Sequence, residues 1–136
     1  MIVTDASAVL EVLLGTTAAL DIQQRLFDGG ESLHAPHLLD LEIAQVLRRY
    51  VLSGELTPQR GKQALTDLAD FPIFRYPHDL FLPRIWALRH NVTAYDAAYL
   101  ALTESLAARL ITCDTRLATM SGHRATVELV GQGRSD

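Results

Sequence analysis

The chain has 136 residues, 49% of them apolar, and its 12 Lys and Arg against 16 Asp and Glu leave a formal net charge of −4. That length and apolar share predict one folded domain over residues 1–136 and exclude a disordered chain. The acidic balance disfavours loose charge-driven binding to nucleic acid, though a local basic rim would suffice for a nuclease, and the single Cys113 excludes an internal disulfide or cysteine-built zinc site.

In chain order, residues 1–4 read as a short buried strand. Residues 7–14 follow with Val9, Leu10, Leu13 and Leu14 on one side of a helix. Gly15 breaks it, and Thr17 is expected to cap a second helix running to Phe27, closed by Asp28-Gly29-Gly30. SLHAP reads as a second strand ended by Pro36. Residues 37–52 carry a helical stripe of Leu38, Leu39, Ile43, Val46, Leu47 and Val51, closed by Ser53-Gly54. Thr57-Pro58 opens the next helix with a capping residue and a proline at its first position, and Pro72 ends it.

IFRY is a third strand, residues 79–90 a further helix, and TAYD the opening of another. RLITC is a buried strand ending in Asp114, followed by a short helix, a last strand TVELV, and a Gly- and Ser-containing tail. Strands alternate with helices throughout, which predicts βα units, a mainly parallel sheet and helices on both faces. No apolar run is long enough to cross a bilayer, and Asp5 interrupts the apolar start where a signal peptide would continue. A cytoplasmic protein with no membrane contact is expected.

Open parallel sheets bind ligands beyond the carboxyl ends of their strands. Two strands here stop at an acid, Asp5 and Asp114, and both acids enter one crevice if their strands are neighbours. Each is equally placed to cap the helix that follows it. Asp96 has the same double reading, since Thr93-Ala94-Tyr95-Asp96 has the form of a capping box. Glu42 differs: it shares a helix face with Leu38, Leu39 and Val46, where a carboxylate needs a partner. Asp40 points elsewhere and is expected to be exposed or locally hydrogen-bonded.

Carboxylates without a matching base suit a hard cation such as Mg²⁺, with Mn²⁺ as substitute. The histidines, at 34, 37, 78, 90 and 123, form no i, i+4 pair and read mostly as surface residues, with His90 and His123 the two to watch near a site.

The segments MIVTDASAVLEVLL, LLDLEIAQVLRR, TAYDAAYLALTESL and RLITCDTRLA resemble, in order and spacing, the signature segments of PIN domains. Within that family they are most similar to the VapC-type toxins of bacterial toxin–antitoxin pairs. The likeness runs from Met1 to about Val130. It implies a single PIN domain of three layers, α/β/α, around a central, mainly parallel sheet of about five strands. It implies a Mg²⁺-dependent endoribonuclease in which Asp5, Glu42, Asp96 and Asp114 are the catalytic, metal-holding acids. By the same likeness Ser7 matches the small polar position that supports the first acid, and Thr112, a supporting residue, the hydroxyl position on the strand before the last acid.

By the same resemblance Asp5, Asp96 and Asp114 hold the main ion. Glu42 completes that shell, helps hold a second ion or orients the water. RNA hydrolysis by metal-activated water leaves a 3′-hydroxyl and a 5′-phosphate. Arg116, Arg48, Arg49 and Arg124 are candidates for phosphate contact, Arg116 foremost because it follows Asp114 by two positions. The family also implies a cognate VapB-type antitoxin and either a homodimer or a toxin–antitoxin hetero-oligomer. Leu10, Leu13, Leu14, Leu20, Leu26 and Leu47 either build an apolar groove for an antitoxin segment or lie in the core. The alternative function is a catalytically weak PIN-like module that binds RNA or protein, against which the presence of all four acids argues. A phosphatase of the haloacid dehalogenase type fails on one residue, because Ser7 stands where its second aspartate belongs.

Overall fold

The computed structural model describes residues 1–132, so the end of the expected tail, residues 133–136, lies outside the described residues. Its centre is a five-stranded sheet of β1 (Ile2–Thr4), β2 (Leu33–Pro36), β3 (Ile73–Tyr76), β4 (Arg109–Thr112) and β5 (Thr126–Leu129) in the order β3-β2-β1-β4-β5. Every pairing is parallel, with Val3 opposite His34 on one side and Leu110 on the other. β1 is therefore the middle strand, and Ile2, Val3 and Thr4 are all buried. Such a strand reads as a continuous apolar run rather than an alternation. The expected adjacency of the first and fourth strands is present. β4 stops at Thr112, two residues before Asp114, because the chain there turns into the following helix.

Helices cover the sheet in two groups, giving three layers. α1 (Ala6–Leu14), α2 (Ala19–Phe27), α3 (Leu38–Leu52) and α4 (Pro58–Asp70) pack on one another, with α1 also against β4. α5 (Leu82–Ala87) and α6 (Ala94–Leu106) form the other group, α6 lying on β1, β2 and β4. α7 (Thr115–Ala118) is a single short turn between β4 and β5. From Ala97 to Thr103 every residue of α6 is buried, so this helix has no solvent stripe and is a core element.

Local chemistry accounts for most boundaries. Gly15 ends α1 with φ of 62°, a left-handed turn whose N–H reaches Glu11 and Val12 carbonyls. Thr57 caps α4 through its side chain, and Pro58 starts it. Two expected helix boundaries need correction. Thr17 does not cap α2: the helix begins at Ala19 after Ala18, which makes no side-chain cap, and the entry turn closes through Ala19 N–H to the Thr16 carbonyl. Residues 79–90 are not one helix but a 3-10 turn, Asp79–Phe81, followed by the short α5. Pro83 sits in the first turn of α5, where its missing N–H costs nothing, so the helix starts afresh there.

His34 is the exception among the histidines: it is buried on β2, its ring nitrogens bonded to Ser32 and Tyr76 hydroxyls. Asp40 is held by Arg75, 35 residues away, at 2.8 Å rather than by a local bond. No single helix among the described residues is long and apolar enough to cross a membrane.

Candidate active site

β1 and β4 end side by side, and the sequence places an acid just beyond each end. Asp5 is 6% exposed and sits at the N-cap of α1. Its Oδ1 accepts from the Ser7 hydroxyl at 2.7 Å and from Ala8 N–H at 3.2 Å; its Oδ2 accepts from the Thr112 hydroxyl at 2.5 Å. Ser7 Oγ in turn accepts from Cys113 N–H at 2.9 Å, and Thr112 Oγ1 from Asp114 N–H at 2.9 Å. Two hydroxyls thus pass backbone donors of the β4 exit on to a carboxylate at the β1 exit. Such chained bonds fix a group better than single ones. Asp5 does cap its helix, and it does so with one oxygen only.

Asp114 repeats the arrangement. Its Oδ1 caps α7 by accepting from Arg116 N–H at 2.9 Å and Leu117 N–H at 3.4 Å, while Oδ2 takes the Arg116 guanidinium at 3.1 Å. Asp96 stands in the first turn of α6, and only half of the expected capping box is built around it. Thr93 caps Asp96 N–H, but the Asp96 carboxylate turns to the Thr93 hydroxyl and to Arg116, whose Nη1 lies at 2.8 Å. Glu42 is carried in from α3, on the face that its apolar neighbours predicted. Its partner is the phenol of Tyr99, which donates to Oε1 at 2.6 Å.

Asp5, Ser7, Glu42, Asp96, Asp114 and Arg116 line one cavity with Tyr99, of ≈ 200 Å³. Thr112 lies behind Asp5 as its support. Tyr99 went unnoticed at the level of sequence. Its signal was its place three residues after Asp96 on one helix, which sets the two on one face. Arg48, Arg49 and Arg124 are exposed and do not line the cavity, and neither His90 nor His123 does. His123 is spent on a local turn, bonded to the Met120 carbonyl and Ala125 N–H.

The electrostatics follow from burial. Desolvation holds the Asp5 carboxyl above the usual carboxylate range despite its three donors, and the nearby Asp114 charge adds to the shift. Glu42 is raised for the same first reason, against the lowering by Tyr99, with Asp5 and Asp96 adding repulsion. The Tyr99 phenol is pushed up by burial and by Glu42, so it remains a donor. Burial pushes the Cys113 thiol up to about 12, so it keeps its proton beside the site near neutral pH. The cavity collects acid oxygens and draws a cation: the Arg116 guanidinium stands between Asp96 and Asp114. The acids expected to lack a matching base therefore have one in Arg116. Among the described residues no three His, Cys, Asp or Glu side chains form a ready metal-holding group, and two of the four acids pair with Arg116.

Residues 2–122 match the PIN domain family. Ribonuclease VapC12 of Mycobacterium tuberculosis is 40% identical over 130 residues, covering 96% of this chain and 99% of the relative. Ribonuclease VapC1 of the same organism is 42% identical over 132 residues, 94% and 96% of the two chains. The fold matches the crystal structure of VapBC2 from Rickettsia felis, bound to a DNA fragment from their promoter, with a TM-score of 0.68 at 9% identity over 96% of this chain and 99% of that one.

Proposed function

This chain belongs to the PIN domain family, and on that premise we propose that it is the toxin of a type II toxin–antitoxin pair, a metal-dependent endoribonuclease acting at the cavity of Asp5, Glu42, Asp96 and Asp114. The observation that carries the proposal is the convergence of these four acids, from four separate elements, at the paired ends of β1 and β4. Relatives with near-complete coverage that are named ribonucleases support the same reading.

The donor set fits a divalent cation. All four side chains offer hard oxygen, and the guanidinium between Asp96 and Asp114 shows that a positive charge is accommodated there. We assign Mg²⁺, with Mn²⁺ as substitute, to Asp5, Asp96 and Asp114, with Glu42 beside them. Such an ion, when bound, supplies a water of lowered pKa and neutralises charge on the leaving oxygen. The chain's own residues do the rest. Ser7 and Thr112 hold Asp5 at one angle, and Asp114 is fixed by the α7 turn that it caps. Tyr99 orients Glu42 towards the cavity, where its free oxygen is placed to position the attacking water. Among the described residues Arg116 is the one basic side chain lining the cavity, and it is the candidate contact for an RNA phosphate.

A VapB-type antitoxin is the expected partner. Of the six leucines, Leu13, Leu26 and Leu47 are core, Leu20 is exposed, and Leu10 and Leu14 line a groove with Tyr50 and Leu56. Leu10 also borders the acid cavity, so that groove and the cavity share a wall. A homodimer or a hetero-oligomer with the antitoxin is the proposed assembly, and the cytoplasm its compartment.

The test is to induce the chain with and without its neighbouring gene, with Asp5→Asn as control, and to sequence the RNA ends. Growth arrest, Mg²⁺-dependent cleavage and 5′-phosphate ends are expected, all lost in the variant. Cyclic 2′,3′-phosphate ends would sink the mechanism. Intact RNA and unhindered growth would favour a binding module.

A further inference from the structure

We infer that Arg116 is this chain's built-in counter-ion: its guanidinium holds Asp96 and Asp114 together while the cavity is free of metal and must release both before a divalent cation loads. The inference rests on the reading of the cavity as a cation site.

The geometry is specific to this arginine. It is the second residue of α7, and its side chain folds back over Asp114, the cap of its own helix. Nη2 lies 3.1 Å from Asp114 Oδ2, while Nη1 and Nη2 lie 2.8 Å and 3.4 Å from the two oxygens of Asp96. The fork of the guanidinium thus spans two carboxylates that come from α6 and from the β4 exit, which a point charge on lysine could not do equally well.

Three features make this a removable plug rather than a structural pin. The Arg116 side chain is 59% exposed, whereas those of Asp96 and Asp114 are 15% and 32% exposed. Exposed ion pairs of this kind contribute little to stability, so release is cheap. With Arg116 in place the described residues also hold no ready metal group, and the guanidinium occupies oxygens of two of the four acids. Arg116 and an incoming cation want the same oxygens. Whatever one gains from Asp96 and Asp114 the other loses, and the coupling is reciprocal. Arg116 therefore sets the free-metal concentration at which the site fills.

Calorimetric titration of Mn²⁺ into the full chain reads this directly, without reference to cleavage. Arg116→Gln is expected to bind Mn²⁺ at least about fivefold more tightly than the unaltered chain. Arg116→Lys, which keeps the charge and loses the fork, should fall between. Arg124→Gln removes an equal charge from outside the cavity and should match the unaltered chain, which separates the contact from a general change in net charge. Melting curves check that each variant folds. Equal affinity in the unaltered chain and Arg116→Gln would overturn the inference and leave the cation site standing. Weaker binding by Arg116→Gln would also overturn it, since Arg116 would then be organising the acids. Absence of Mn²⁺ binding in every protein would overturn both the inference and the metal site beneath it.

Discussion

Asp5 both lines the cavity and caps α1, two readings that the sequence left as alternatives, because a strand-to-helix turn is what holds a carboxylate still. Its burial has a measurable consequence. A carboxyl whose folded pKa is raised binds more protons in the folded state, so stability is lost as pH rises from the unfolded value of 3.8 through the folded one. Asp5→Asn should therefore melt no lower than the unaltered chain at pH 7 in chelator, and higher if the hydroxyl network accepts the amide. Its cleavage activity should fall at least about a hundredfold, more than loss of a supporting residue costs. Tyr99→Phe tests the second buried acid. Without the phenol, Glu42 stays half-buried with one donor fewer, at a cost of about 1–2 kcal/mol. The loss should be larger at pH 8 than at pH 4, where Glu42 takes up a proton, and urea unfolding at the two values measures it. The need of Glu42 for a partner was legible in its helical stripe. That the partner is a phenol 57 residues away was not, because no local spacing encodes a contact between α3 and α6.

Among the elements, α6 carries the most constraint, with seven consecutive buried residues and the sheet beneath it. It ends on Ala107 in the left-handed region, φ of 49°, where a Cβ is strained and glycine is not. Ala107→Gly should raise stability by up to about 1 kcal/mol, the relief of strain being partly offset by the freer unfolded chain. The same helix is clamped to α5 through Arg84, whose Nε and Nη2 reach Glu104 at 2.7 and 3.0 Å, with Arg124 N–H as a third donor. The Arg84 guanidinium holds the Glu104 carboxyl below its usual range. Its contribution is present above pH 4.5 and lost as pH falls through the depressed value. Glu104→Gln should cost about 1–3 kcal/mol near neutrality and little in strong acid, by thermal melts across pH. The broken helix at Asp79–Phe81 and Leu82–Ala87 was misread because apolar residues continue through Pro83 at helical spacing. A proline in such a run marks either a kink or a first turn, and tertiary packing chose the latter.

For the whole molecule, four acids in one cavity repel one another, and a bound cation should stabilise the fold by mass action. At a hundred times its dissociation constant the gain is about 2.7 kcal/mol. Mn²⁺ should therefore raise the melting temperature of the unaltered chain and leave that of Asp5→Asn nearly unmoved. The sequence by itself determined the alternation of strands and helices, the buried runs of β1 and β4, and the four acids with their hydroxyl supports. Those features depend on periodicity, caps and short motifs, which are properties of neighbouring residues. Only the tertiary structure decided that Tyr99 holds Glu42, that Arg75 holds Asp40, and that Arg116 lies across Asp96 and Asp114. Each of these joins side chains whose distance is set by how helices settle on the sheet. A buried or half-buried charge takes whatever donor the packing brings within reach, and the one-dimensional chain does not state which that will be.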